Sequence, residues 1–115
     1  MKLIVAVIQP TKLQAVREAL VKIEVLRMTV CDAQGYGRQL GHTEVYRGHE
    51  YRTDLLRKVE LQILVNEDFV DRTLAALLKV ARTGSEGQIG DGKIFTVPVE
   101  ECIRISDGIR GPGAV

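Results

Sequence analysis

An internal repeat constrains this chain more than any other feature. Leu13, Val16, Leu20 and Ile23 recur at helical spacing, and Val70, Thr73, Leu77 and Val80 fall in the same places about 57 residues later. Each helical stretch lies between strand-like runs. Leu3 to Ile8 is an unbroken apolar run ended by Gln9-Pro10, which predicts a strand buried on both faces. Met28 to Ala33 is rich in β-formers and is ended or bent by the glycines of Gln34-Gly35-Tyr36-Gly37. In the second half, Val59, Leu61, Ile63 and Val65 alternate with polar residues, Val70, Leu74, Leu77, Leu78 and Ala81 form a helical stripe, and Lys93 to Val97 is a strand. Cys102 to Ile105 reads as a short last strand. Thr11-x-x-Gln14 predicts a capping box, and Asn66-Glu67-Asp68 caps and charges the second helix.

A doubled β-α-β unit of this size predicts a single α+β domain over residues 1–115, ferredoxin-like, with both helices on one sheet face. The other face then needs a cover, and further copies of the chain supply it. An oligomer is expected. The tail from Gly108 to Val115, with three glycines and a proline, is expected to be loose.

Composition narrows the function. Apolar residues make up 45% of the chain and aromatics 4%, so the core is aliphatic. The formal net charge of +1 lacks the basic excess of a nucleic-acid or membrane-surface binder. Stacking on single strands needs aromatics on exposed strands, and Phe95 stands nearly alone in that respect. Cys31 and Cys102 have no partner at metal-ligand spacing and read as reduced, buried thiols of a cytoplasmic protein. No run is long enough to span a bilayer, and the start of the chain does not read as a signal peptide.

Three segments carry chemistry. Gly84 to Lys93 contains four glycines, the last of them in Gly92-Lys93, a pattern in which backbone N–H groups converge on an anion and a lysine adds charge. It is not a P-loop, because Ile94 follows the lysine and a strand follows the loop. Gly35-Tyr36-Gly37-Arg38-Gln39 allows close backbone approach, then offers a cation and a neutral oxygen. Residues 38–58 lack apolar periodicity and read as a long functional loop holding His42, His49, Tyr46 and Tyr51.

Together these segments closely resemble the PII family of nitrogen-regulatory signal transduction proteins. The resemblance covers essentially the whole chain and is carried by Gly-Tyr-Gly-Arg-Gln (35–39), Gly-His-Thr-Glu-Val-Tyr-Arg-Gly (41–48), Tyr51, Lys58, Gly-Asp-Gly-Lys-Ile-Phe (90–95) and Ile-Arg-Ile (103–105). It implies a cytoplasmic homotrimer with ATP or ADP bound in clefts between neighbouring subunits. The implied nucleotide set is Thr29, Gly35, Tyr36, Gly37, Arg38, Leu64, Thr83, Gly90, Asp91, Gly92, Lys93 and Arg104, with a phosphate loop over residues 83–93. The resemblance further implies that 2-oxoglutarate binds beside Mg-ATP, with Gln39 completing the Mg²⁺ shell and Lys58 pairing with the distal carboxylate. A loop protruding over about residues 37–54 would present the result to an ammonium channel, a nucleotidyltransferase or a metabolic kinase, and Tyr51 matches a uridylylation site. Any membrane association would come through a channel partner, and no nucleic acid is implied.

The chain departs from the family pattern in places. Ser85-Glu86-Gly87-Gln88 stands where one residue is usual, and Glu86 brings a carboxylate toward the phosphates. Ser106 replaces a frequent Arg, Gln62 a common Glu, Leu40 a common Lys, and His49 stands where Ala or Ser is usual. Two other readings stay in view: a divergent adenylate sensor with a different effector, and a slow ATP-hydrolysing enzyme. Catalysis at His42 or His49 would need an orienting base, and the sequence offers none. The expected protein is therefore an enzyme regulator, not an enzyme.

Overall fold

The computed structural model describes the backbone of residues 1–46 and 49–115 and the side chains of residues 1–37 and 55–115. The order is β1 (Lys2–Ile8), α1 (Leu13–Lys22), β2 (Thr29–Tyr46), β3 (His49–Val65), α2 (Glu67–Ala81) and β4 (Gly92–Pro98), with 3₁₀ turns at Pro10–Lys12 and Pro112–Ala114. The four strands form one antiparallel sheet in the order β2-β3-β1-β4. That is the ferredoxin-like arrangement the repeat predicts.

Register explains the core. Ile4, Ala6 and Ile8 pair with Ile63, Leu61 and Val59, so all six share one face of the sheet. They are buried together with Val16 and Leu20 of α1 and Val70, Leu77 and Ala81 of α2. The repeat is visible in the packing: Val16 and Leu20 are 1% exposed, and their counterparts Thr73 and Leu77 are fully buried. Thr73 tolerates a core position because its hydroxyl donates to the Phe69 carbonyl at 2.6 Å, one turn back. On the opposite face Leu3, Val7 and Leu64 are half-buried, and Phe95 and Val97 are exposed.

Seven local expectations need correction. Residues 37–46 and 49–54, read as part of a loop, are instead continuations of β2 and β3, paired from Gly37↔Asp54 to Leu40↔Tyr51 and, after a register shift, at Val45↔Glu50 and Tyr46↔His49. Val59–Val65 of β3 also pairs with β1, so the outer part is a two-stranded ribbon with no third strand beside it among the described residues. Apolar alternation arises where one face is buried, and it vanishes beyond the sheet. The capping box does not form: Pro10 opens a 3₁₀ turn, α1 starts at Leu13, and Gln14 bonds Glu18. Asn66 holds the N-cap backbone position, but its side chain donates to the Pro112 carbonyl at 3.2 Å.

That bond helps fix the tail, which is not loose. Ala114 is buried, and Gly111 N–H donates to the Cys102 carbonyl at 2.9 Å. The expected strand at Cys102–Ile105 reduces to one bridge, Ile103↔Arg110, which closes a tight turn. Both cysteines are free thiols, half-buried where full burial was expected. No helix is long and apolar enough to cross a membrane among the described residues.

Leu78, expected in the apolar stripe of α2, is 51% exposed. Leu77→Ala is therefore expected to lower the unfolding free energy by about 2–5 kcal/mol, and Leu78→Ala to change it by less than about 0.5 kcal/mol. Urea midpoints of the two variants check this, and equal losses would place Leu78 in the core.

Candidate functional site

The Gly-rich segment between α2 and β4 is closed by its own aspartate. Asp91 accepts from the Thr83 N–H at 2.9 Å, the Thr83 hydroxyl at 2.5 Å and the Gln88 N–H at 2.9 Å. Thr83 and Asp91 therefore act within the loop as a clip. These bonds favour the charged carboxylate and hold its pKa at about 2, against an ordinary 3.8. The Thr83 hydroxyl contributes most, then the Thr83 and Gln88 N–H groups, with a small part from the Lys12 charge.

Gly90 and Gly92 give the loop its shape. Their φ values are 96° and 106°, in the region that disfavours side chains. A Cβ on Gly92 would also overlap the Val7 carbonyl, so β4 can start beside β1 only with glycine there. Gly90 faces the Gln9 amide and the Lys58 ammonium, and Lys58 Nζ donates to the Gly90 carbonyl. Lys58 belongs to β3, opposite Ala33 of β2, where the ribbon leaves the sheet. The Gly-rich loop and the ribbon base thus meet at Lys58.

The expected nucleotide residues fall into three places. Thr83, Gly90, Asp91, Gly92 and Lys93 are together in the loop, with an open groove of about 530 Å³ behind it against Leu77, Leu78 and Ile94. Glu86 is exposed and lines that groove with Arg82. Thr29 and Leu64 line a different groove, of about 250 Å³, with Met28, Gln62 and Cys102. Thr29 lies on β2 and Lys93 on β4, the two edge strands, roughly 14 Å apart at the usual strand spacing. Gly35, Tyr36 and Gly37 lie on β2 just past Ala33, and Tyr36 is 81% exposed. A Cβ on Gly37 would meet the end of the Leu56 side chain, which would have to shift to admit it.

Arg104 stands apart from these groups. Its guanidinium is engaged by Asp107, Nε to Oδ1 at 3.0 Å and Nη2 to Oδ2 at 3.0 Å. The side chains of Arg38, Gln39, Leu40, His42, His49 and Tyr51 lie outside the described residues.

The sequence pattern of the family described as "Nitrogen regulatory protein P-II" matches residues 1–108. The chain belongs to the P-II family. It is 47% identical over 115 residues to a "Nitrogen regulatory protein P-II" of Azospirillum brasilense, covering all of both chains. It is 45% identical to "Nitrogen regulatory protein GlnK1" of Methanosarcina mazei, covering all of this chain and 97% of that one. A solved structure, "Structure of B. subtilis GlnK", superposes with a TM-score of 0.78 at 32% identity, covering 99% and 97% of the two chains. The P-II family is one of nitrogen-regulatory signal transduction, and the reading of the chain as a regulator agrees with it.

Within this P-II chain the sequence reading passed over two residues. Gln9, next to the helix-starting Pro10, reaches Gly90, and Lys12 is near enough to Asp91 to act on its charge. Neither has a spacing signal, because both reach the loop only when the end of β1 meets the start of β4.

The clip carries a pH dependence of definite sign. The carboxyl is depressed in the folded chain, so its closure is complete above pH about 4 and is lost as pH falls from about 4 toward 2. Protection of the Thr83 and Gln88 amides from exchange is expected to be lost over the same range, and Asp91→Ala, which leaves no oxygen to accept from them, to give fast exchange at both positions already at neutral pH. Unchanged protection in the Ala variant would mean that the carboxylate does not close the loop.

Proposed function

We propose that the chain senses adenine nucleotide together with 2-oxoglutarate and reports their state to nitrogen-metabolism proteins through the β2–β3 ribbon. One observation carries this: the Lys58 ammonium bonds the Gly90 carbonyl of the phosphate loop from the base of the ribbon. A ligand on the loop and an acid on Lys58 would then share one corner of the sheet with the element that presents the result.

The loop suits phosphates. Gly90 and Gly92 bring bare backbone to the surface, and Lys12, Lys58 and Lys93 surround it with positive charge. Asp91 stays charged, but its oxygens are turned to Thr83 and Gln88, and the lysines around the loop offset its charge toward an anion. Magnesium would arrive with the phosphates, which supply most of its oxygen ligands, and Gln39 is the residue read as completing them.

The same geometry favours a homotrimer. The Thr29–Leu64 groove and the phosphate loop lie at opposite edges of one sheet, so a nucleotide using both would bridge two copies. Packing copies together would also cover the bare face around Val7, Phe95 and Val97. The target classes are those the resemblance implies: an ammonium channel, a nucleotidyltransferase or a metabolic kinase. Tyr51, on the ribbon, is the position read as open to uridylylation.

A second reading, an adenylate sensor without 2-oxoglutarate, draws support from Ser106 and from the residues Ser85 to Gln88 that lengthen the loop. Calorimetric titration of 2-oxoglutarate into the protein separates the two. Binding with Mg-ATP, and neither with Mg-ADP nor without nucleotide, is expected. Lys58→Ala is expected to weaken it at least about tenfold, the loss typical of a charge-assisted contact. Nucleotide binding with no response to 2-oxoglutarate would leave the adenylate sensor standing.

A further inference from the structure

The C-terminal turn carries an arrangement that the nucleotide reading does not absorb. Residues 99–115 contain two arginines, and each is already paired with a carboxylate of the same segment. Arg110 Nη1 lies 2.8 Å from Glu101 Oε1. Arg104 holds Asp107 through Nε and Nη2, both oxygens taken at 3.0–3.1 Å. A fork of this kind is the geometry in which arginine grips a phosphate.

Asp107 is not there by chance rotation. Its Oδ1 also accepts the Ile109 N–H at 3.1 Å, and the backbone is folded to bring it round. Gly108, at φ 71°, turns the chain so that its N–H reaches the Arg104 carbonyl at 2.8 Å. Arg104 N–H in turn donates to the Ile109 carbonyl at 2.9 Å. Asp107 is thus held in front of the guanidinium by the turn itself. The neighbouring Ser106 brings no second cation, and Glu100 and Glu101 add negative charge nearby.

We infer that Asp107 is a resident carboxylate that occupies the phosphate-binding face of Arg104 and must be displaced before a nucleotide phosphate can use it. The inference rests on the reading of Arg104 as a nucleotide contact. It makes Asp107 a specificity-determining residue: a highly charged polyphosphate displaces it readily, while a weakly charged ligand does not. Because the pair is partly exposed, the barrier is modest. An exposed bidentate pair is worth enough to change binding roughly two- to fivefold.

The test is calorimetric binding of ATP and ADP to the full chain, its Asp107→Asn variant, Arg104→Ala and the double variant. Asparagine keeps an acceptor for the Ile109 N–H, so the turn is retained. Asp107→Asn is expected to bind ATP roughly two- to fivefold more tightly than the parent, and this gain is expected to vanish in the Arg104→Ala background. Equal or weaker binding by Asp107→Asn overturns the inference and leaves the nucleotide reading intact. A gain that persists without Arg104 also overturns it, since Asp107 would then act only as distant charge. Absence of nucleotide binding in both the parent and Asp107→Asn removes the nucleotide reading and this inference with it.

Discussion

The position of β1 between two partners decides where everything else in the molecule goes. Its seven residues pair along their full length with β3 on one side and β4 on the other. Main-chain donors and acceptors of both edges are thereby satisfied within the sheet, which lets Ile4, Ala6 and Ile8 sit in a dry core. The strand stops at Ile8 because Pro10 has no N–H to extend a ladder and instead starts a 3₁₀ turn. Past that point β3 has β2 alone as a partner and becomes a ribbon, and β4 begins at Gly92. Gln9, Lys58 and Gly90 are neighbours because all three stand at the end of β1.

Much of this was legible in the sequence because burial leaves a period. The two helices lie on the same sheet face, so Val16 and Leu20 meet the same environment as Thr73 and Leu77, and the repeat survives even where threonine replaces an aliphatic residue. The glycines at 90 and 92 were legible for a different reason: a backbone at positive φ against a neighbouring strand excludes other residues. Family resemblance supplied ligand roles that no periodicity contains.

What was not legible depends on tertiary contact without local pattern. A two-stranded ribbon lacks the buried sheet face that leaves a period, so residues 38–46 and 49–54 give no alternation although their backbones pair, with one register shift between Leu40 and Val45. The glycines and proline of the tail read as loose, yet Gly111 makes the turn that carries Ala114 into its seat, and Asn66 reaches Pro112 across 46 positions. Arg104 read as an available cation because sequence spacing does not say which way a guanidinium faces. Asp107, three residues on, takes it.

The tie between loop and ribbon has a consequence for signalling on the proposed reading. The peptide joining Gly90 to Asp91 is held at both ends, its oxygen by Lys58 and its N–H by the Gln88 carbonyl at 3.2 Å. Asp91 is held again through its carboxylate. The loop therefore presents a fixed backbone to an anion and loses little freedom on binding. An ammonium has three donors, and the bond to Gly90 uses one. A carboxylate that takes a second leaves the first in place, so loop and acid each hold Lys58 where the other needs it. Coupling of this kind is reciprocal: whatever nucleotide contributes to acid binding, the acid returns to nucleotide binding. Because Lys58 is itself a residue of β3, both contributions are delivered at the root of the strand that runs on to His49.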